Sequence, residues 1–233
     1  SWQQQNANVD GYWNGIAFTD ANNGWIVGSE GKILRTTDGG KNWKLQTSTI
    51  TNELYSVSFV DVNTGWVSSS YNEILNTTNG GSTWKIQNTN ASVSGKKIQF
   101  INKTNGYTSS GYVTSSGGTH WQSTNNYFYD IQMLDISTIL GAGSGGFYKS
   151  TDGGLTFNSV KFSTNSSTGF GLYFVSKQKG WILSSNKIYK TIDGGSTWTE
   201  EILENFNKSL KTVKFINDTT GWAVGESGTI LKY

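Results

Sequence analysis

Thr36-Thr37-Asp38-Gly39-Gly40-Lys41-Asn42-Trp43 is the stretch that decides how this 233-residue chain folds. Asp38 offers a short side-chain oxygen that can cap a tight turn, and Gly39 and Gly40 supply the positive φ that such a turn requires. Trp43, three residues beyond the second glycine, can pack the turn against a sheet. The arrangement recurs. Its capping residue stands at Asp38, Asn79, Ser116, Asp152 and Asp193, and its terminal aromatic at Trp2, Trp43, Trp84, Trp121, Phe157 and Trp198. The capping residues share an oxygen but not a carboxylate, so the turn reads as a structural device and not as a set of active-site acids.

Working outward, a second row typified by Asn23-Gly24-Trp25 recurs at Trp25, Trp66, Tyr107, Leu140, Trp181 and Trp222, with gaps of 41, 41, 33, 41 and 41 residues. Each unit also holds short apolar or alternating segments, as at 54–60, 65–69, 73–77 and 83–87, which read as four strands. A period near forty residues built from four short strands predicts an all-β, six-bladed β-propeller. The sixth unit runs through 210–216, 221–225 and 229–233 and stops before its fourth strand. Ser1-Trp2-Gln3-Gln4 reads like Asn42-Trp43-Lys44-Leu45. The expectation is therefore one domain over 1–233, closed by the N-terminal strand completing the C-terminal blade, which removes exposed sheet edges.

These turns carry a resemblance to the Asp-box (BNR) repeat propellers. The fuller unit, with Val57-Ser58-Phe59-Val60-Asp61, Gly65-Trp66 and Glu73-Ile74-Leu75 leading into the box, is similar to photosystem II stability and assembly factor-like proteins over essentially the whole chain. The resemblance implies a non-catalytic binding or assembly module with a protein partner. It would also bring an arginine-rich face, which a chain whose one arginine is Arg35 does not have.

Composition narrows the function classes. A net charge of +2, with no basic run longer than Lys96-Lys97, argues against a nucleic-acid footprint. No apolar stretch approaches membrane-spanning length. The absence of cysteine excludes disulfides and thiolate metal sites, and it suits an exported bacterial protein as well as a cytosolic one. The chain opens in mid-blade, and the expectation is a processed or trimmed, monomeric, extracytoplasmic protein, whether secreted, periplasmic or at the cell surface.

Enzyme chemistry is tested by subtraction. By resemblance, sialidases of this repeat class grip a carboxylate with three arginines, and Arg35 stands alone. His120 is the sole histidine, which removes His-based triads and multi-histidine metal sites. Asp61-Val62-Asn63-Thr64-Gly65 resembles part of a calcium loop but lacks the distal bidentate acid. A carboxylate-dependent glycoside hydrolase would need only two acids about 5 to 9.5 Å apart. Relatives of this repeat class that degrade xyloglucan use two rings, where this chain has one. The reading is thus a non-catalytic module without metal or cofactor, with a lectin-like glycan binder or carboxylate-dependent hydrolase as the alternative.

A binding site is expected where repeats differ, on the face opposite the boxes. Loops at 46–54, 88–96, 124–129, 159–170, 202–210 and 5–13 lie there. The 107–121 and 121–140 intervals are each four residues shorter than their counterparts, which would open a notch near Tyr127, Tyr129 and Asp130. Trp13, the one tryptophan outside both rows, and Tyr55 join that rim. Trp13 has two readings, stacking on a ligand or packing under the closure loop. Aligned inner strands place Gly15, Ser56, Lys97, Asp130, Gly171 and Thr212 in one row, and Ala17, Ser58, Gln99, Gln132, Tyr173 and Lys214 in the next. Lys97, Asp130, Tyr173 and Lys214 would converge either on a ligand in the central channel or on one another in a neutralised, water-lined channel.

Overall fold

The computed structural model describes residues 5, 7–87, 93, 95–160, 171–203 and 206–233. Its regular structure is a series of antiparallel sheets in chain order. The first holds β1 (Trp13–Phe18), β2 (Gly24–Gly28), β3 (Ile33–Thr36) and β4 (Lys44–Gln46). The second holds β5 (Leu54–Phe59), β6 (Gly65–Ser69), β7 (Ile74–Thr77) and β8 (Lys85–Gln87). The third consists of β9 (Ile98–Phe100), β10 (Gly106–Thr108), β11 (Tyr112–Thr114) and β12 (Gln122–Ser123). The fourth has β13 (Asp130–Met133), β14 (Ile139–Gly143), β15 (Gly146–Ser150) and β16 (Asn158–Val160). The fifth has β17 (Gly171–Phe174), β18 (Gly180–Ser184), β19 (Lys187–Thr191) and β20 (Thr199–Glu201), and the sixth β21 (Leu210–Asn217), β22 (Thr220–Gly225) and β23 (Ile230–Lys232).

Among the described residues, five sheets have four strands and the sixth has three. Residues 1–4, to which the sequence assigns the missing strand, lie outside the described residues. The chain divides into two compact units, Ser1–Asn125 with the first three sheets and Asn126–Tyr233 with the last three.

Each sheet is a meander because hairpin turns of Gly, Asn and Asp join short strands, of which β6, β10, β14 and β18 are buried along their whole length. Packing between neighbours in a unit repeats one device. In the first unit Trp25 stacks on Phe59 and Trp66 on Phe100, both at 3.6 Å between ring centroids. Trp84 and Trp121 then meet Phe59 and Phe100 edge-on at 5.9 Å. In the second unit Trp181 stacks on Phe215 at 3.6 Å, and Trp198 meets Phe174 edge-on at 6.0 Å. A glycine opposite each of these phenylalanines makes room for the ring: a Cβ on Gly65 would lie 2.6 Å from Phe59. Within each unit these tryptophans are thus the core that joins sheet to sheet.

Candidate functional site

The box turns occupy one end of the strands and spend their polar groups on themselves. The Thr36 hydroxyl accepts the N–H of Gly40 at 2.9 Å and donates to Asp38 at 2.8 Å, while Asp38 accepts the N–H of Asn42 at 2.9 Å. Asn79, Ser116, Asp152 and Asp193 accept the corresponding N–H from Thr83, His120, Thr156 and Thr197. His120 is therefore a turn residue whose N–H is capped by the Ser116 hydroxyl. The Asn42 side chain, its backbone N–H and the Thr36 hydroxyl hold the Asp38 carboxyl at about 2. Asp152 and Asp193 are also held at about 2, by the side chains and N–H groups of Thr156 and Thr197.

The first glycine of the box is used on both sides. Gly80 donates its N–H to the Asn63 carbonyl at 2.8 Å and accepts the Trp25 indole at 3.1 Å. Gly117 does the same with Thr104 at 2.8 Å and Trp66 at 3.0 Å. The adjoining turns are capped in the same way, Asp61 accepting the N–H groups of Asn63 and Thr64 at 2.8 and 2.7 Å. Arg35 packs over Trp25 at 5.5 Å, with its Nη1 against Gly80, and it also lines a groove of 540 Å³ with Thr37, Asp38, Asn42 and Lys44. Among the described residues, no three His, Cys, Asp or Glu groups are placed to hold a metal ion.

The opposite end of the strands presents its side chains outward. In the first unit Tyr12 is 83% exposed, Trp13 is 36% exposed as the first residue of β1, and Tyr71 is 82% exposed. Tyr55 is half-buried at an irregularity of β5, between Leu54 and Ser56, and Asn14 takes the same position in β1. Such bulges turn a side chain away from the alternation of its strand. Asn14 donates to the Glu53 carboxylate at 3.0 Å and to the Leu54 carbonyl at 2.9 Å. The Glu53 carbonyl in turn accepts the Ser70 N–H at 2.8 Å. Glu53 thereby ties the residue after Trp13 to the residue before Tyr71.

Tyr71 has φ 62°, in the left-handed region, and Asn72 follows at φ 64°. A bulky residue there carries backbone strain of order 1 kcal/mol. The same turn holds Glu30-Gly31 in the first sheet and Ser227-Gly228 in the sixth, all four residues at positive φ. Gly31 is obligatory, since a Cβ would lie 1.9 Å from the Ile50 carbonyl oxygen. A groove of 590 Å³ runs beside this turn between Glu30, Lys32 and the 45–52 segment.

In the second unit Tyr127 and Tyr129 are 74% and 56% exposed, and Phe128 between them is buried against Phe157. Asp130 is 6% exposed and accepts the Leu172 N–H at 3.2 Å. Gln132 likewise accepts the Phe174 N–H at 2.7 Å. Ser56 and Ser58 accept the N–H groups of Ile98 and Phe100 in the first unit at 3.3 and 3.0 Å. The inner rows thus bridge neighbouring strands. Lys97 is half-buried before β9, and Lys214 lies 4.7 Å over the half-buried Tyr173 ring. The first unit holds Trp13 and Tyr55 on adjoining strands, and the second holds Tyr127, Tyr129, Asp130, Tyr173 and Lys214. The loops at 88–92 and 161–170, expected on this face, lie outside the described residues.

Sequence reasoning passed over Tyr71, Asn14 and Glu53. The signal was present for Tyr71, because Ser70-Tyr71-Asn72-Glu73 aligns with Ser29-Glu30-Gly31-Lys32 and replaces glycine with asparagine.

Comparison with known proteins matches residues 1–132 to the family described as Photosynthesis system II assembly factor YCF48. The chain belongs to that family. The photosystem II stability/assembly factor HCF136 of Oryza sativa subsp. japonica is 36% identical over 72 residues, which is 29% of this chain and 17% of that protein. The photosystem II assembly lipoprotein Ycf48 of Picosynechococcus sp. is 46% identical over 43 residues, 18% of this chain and 13% of that one. The matches thus span less than a fifth of either relative. A solved structure of YCF48 bound to D1 peptide aligns with TM-score 0.61 and 17% identity over 97% of this chain and 94% of that one. An ancestral GH74 enzyme aligns with TM-score 0.72 and 17% identity, over 100% of this chain and 39% of its own. These structural likenesses place the chain among propellers, and its sheets are of the BNR type.

Proposed function

We propose that this member of the YCF48 family is a non-catalytic, extracytoplasmic module that holds a protein partner on the loop end of its sheets. One observation carries the reading: the box ends consume their polar groups in turn caps and sheet-to-sheet bonds, while the opposite ends display Tyr12, Trp13 and Tyr71 in the first unit and Tyr127 and Tyr129 in the second. Exposed aromatics on rigid supports are the side chains that anchor protein interfaces. Tyr55 and Lys97 in the first unit, and Asp130, Tyr173 and Lys214 in the second, are further contacts in this reading. The solved YCF48 complex with a D1 peptide supports a polypeptide as the ligand class.

Affinity capture from an extracytoplasmic fraction tests the reading. Trp13→Ala and Tyr127→Ala are expected to weaken the captured partner by about 2 kcal/mol each, as hot-spot truncations do, and Asp38→Asn to leave it unchanged. Equal loss from the box variant would reject the assignment of faces. The GH74 likeness gives the glycan reading a fold-level motive, and saturable binding on a glycan array would favour it.

We also read residues 1–5 as the strand that completes the sheet of β21, β22 and β23, so that six blades form one domain. Trp2→Ala would then lower the midpoint of thermal unfolding, and an unchanged midpoint would remove that strand from the fold.

A further inference from the structure

Arg35 on β3 and Lys44 on β4 are paired in register, directly across the first sheet. Antiparallel partners hold their Cβ atoms about 5 Å apart, and like charges placed there repel. The corresponding pairs are Asn76 with Lys85, Val113 with Gln122, Lys149 with Asn158 and Lys190 with Thr199. None of these sets cation against cation. Among the described residues, no carboxylate forms an ion pair with Arg35 or Lys44.

The other sheets show what a donor at this position takes. Arg35 pairs in register with Trp25, as Asn76 does with Trp66, Lys149 with Leu140 and Lys190 with Trp181. Asn76 donates to the Gly65 carbonyl at 3.0 Å, Lys149 reaches the Gly194 carbonyl at 2.6 Å, and Lys190 lies 3.7 Å from the Glu201 carboxylate. For Arg35 the counterpart of Gly194 is Gly80. Both lone pairs of that carbonyl are taken, by the Trp25 indole at 3.1 Å and by Gln46 at 3.2 Å. The guanidinium is left over the Trp25 ring at 5.5 Å, with its Nε buried and without a hydrogen-bond partner. A buried donor without an acceptor is costly, and a charged one more so.

These two cations line the 540 Å³ groove together with Thr37, Asp38 and Asn42. Small-molecule sites enclose about 300 to 1,000 Å³. A guanidinium fork matches the two oxygens of a carboxylate, and an ammonium beside it adds a point charge. Asp38 sets a second requirement. The Thr36 hydroxyl, the Asn42 N–H and the Asn42 side chain donate to it at 2.8, 2.9 and 2.8 Å, which leaves about one of its acceptor positions for a ligand hydroxyl. Two cations and one carboxylate give the groove a net charge of +1, which balances a single carboxylate and not a dianion.

We infer that this groove is a binding site for a small hydroxy acid, its carboxylate held by Arg35 and Lys44 and one of its hydroxyls donated to Asp38. The site stands apart from the loop-end surface and does not rest on the protein-binding reading.

Titration of the full chain with D-gluconate, followed by NMR and calorimetry, tests it. Saturable binding is expected, with shifts at the Arg35 Nε–H, the Trp25 indole and the Asn42 side-chain amide. Sorbitol, which carries the hydroxyls without the carboxylate, should not bind. Arg35→Lys keeps the charge and loses the fork, and should weaken gluconate by about tenfold or more, as should Arg35→Gln. Lys44→Gln changes an exposed side chain and leaves the core intact, and it should also weaken gluconate. Asp38→Asn should raise the affinity for inorganic phosphate, which the parent chain should bind more weakly than gluconate. No saturable gluconate binding, equal binding of sorbitol, or full affinity in Arg35→Gln and Lys44→Gln would overturn the site. Phosphate bound by the parent chain as tightly as gluconate would overturn the ligand class. Gluconate shifts confined to the amides around Tyr71 and Tyr127 would overturn the placement in this groove.

Discussion

The indole of Trp25 reaches the carbonyl of Gly80 at 3.1 Å while its ring lies flat on Phe59, so one side chain joins the first sheet to the second by a hydrogen bond and a stack together. Trp25→Phe keeps the stack and loses the bond. Because Gln46 still donates to that carbonyl, the expected cost is about 1 kcal/mol. Trp25→Ala removes both and should cost about 3 to 5 kcal/mol. Denaturant unfolding of the two variants separates the terms.

The box turn is predicted to depend on its threonine more than on its acid. Asp38→Asn retains an oxygen for the Asn42 N–H and should change stability by less than about 0.5 kcal/mol. Thr36→Val strips the buried hydroxyl that accepts the N–H of Gly40 and donates to Asp38, and should cost about 1 to 3 kcal/mol. A larger loss from Asp38→Asn than from Thr36→Val would invert this ranking.

The acids of the boxes set an acid limit. Asp38, Asp152 and Asp193 have carboxyls held at about 2, below the ordinary 3.8, so their contribution is fully present above pH 3.8 and is lost as pH falls through about 2. The turns capped by Asn79 and Ser116 carry no such titration. In an NMR titration the amides of Asn42, Thr156 and Thr197 should shift together near pH 2, and those of Thr83 and His120 should not follow them.

Tyr71 is predicted to trade stability for binding. Tyr71→Asn places a residue that tolerates positive φ on the turn and should stabilise the chain by about 0.5 to 1 kcal/mol. The same change should weaken a bound partner by about 2 kcal/mol. Thermal unfolding and binding measured on one preparation would show opposite signs; a loss in both would mean the tyrosine is structural.

What the sequence made legible follows from which residues packing holds constant. The two aromatic rows and the box glycines recur because the stack of Trp66 on Phe100 and the positive φ of Gly80 and Gly81 admit few substitutes. The position of Asp130 in an inner row was equally readable. Its bond to the Leu172 N–H was not, since that contact depends on how two inner strands pack 42 residues apart. Loop length does not mark Tyr71, because its distinction lies in a backbone angle of φ 62°.

Site-specific photocrosslinking tests the central claim most directly. With a crosslinking amino acid placed at Tyr71, at Tyr127 or at Thr37 in the full chain, the partner should be trapped from the first two positions and not from the box turn. Trapping at Thr37, with none at Tyr71 or Tyr127, would contradict the account.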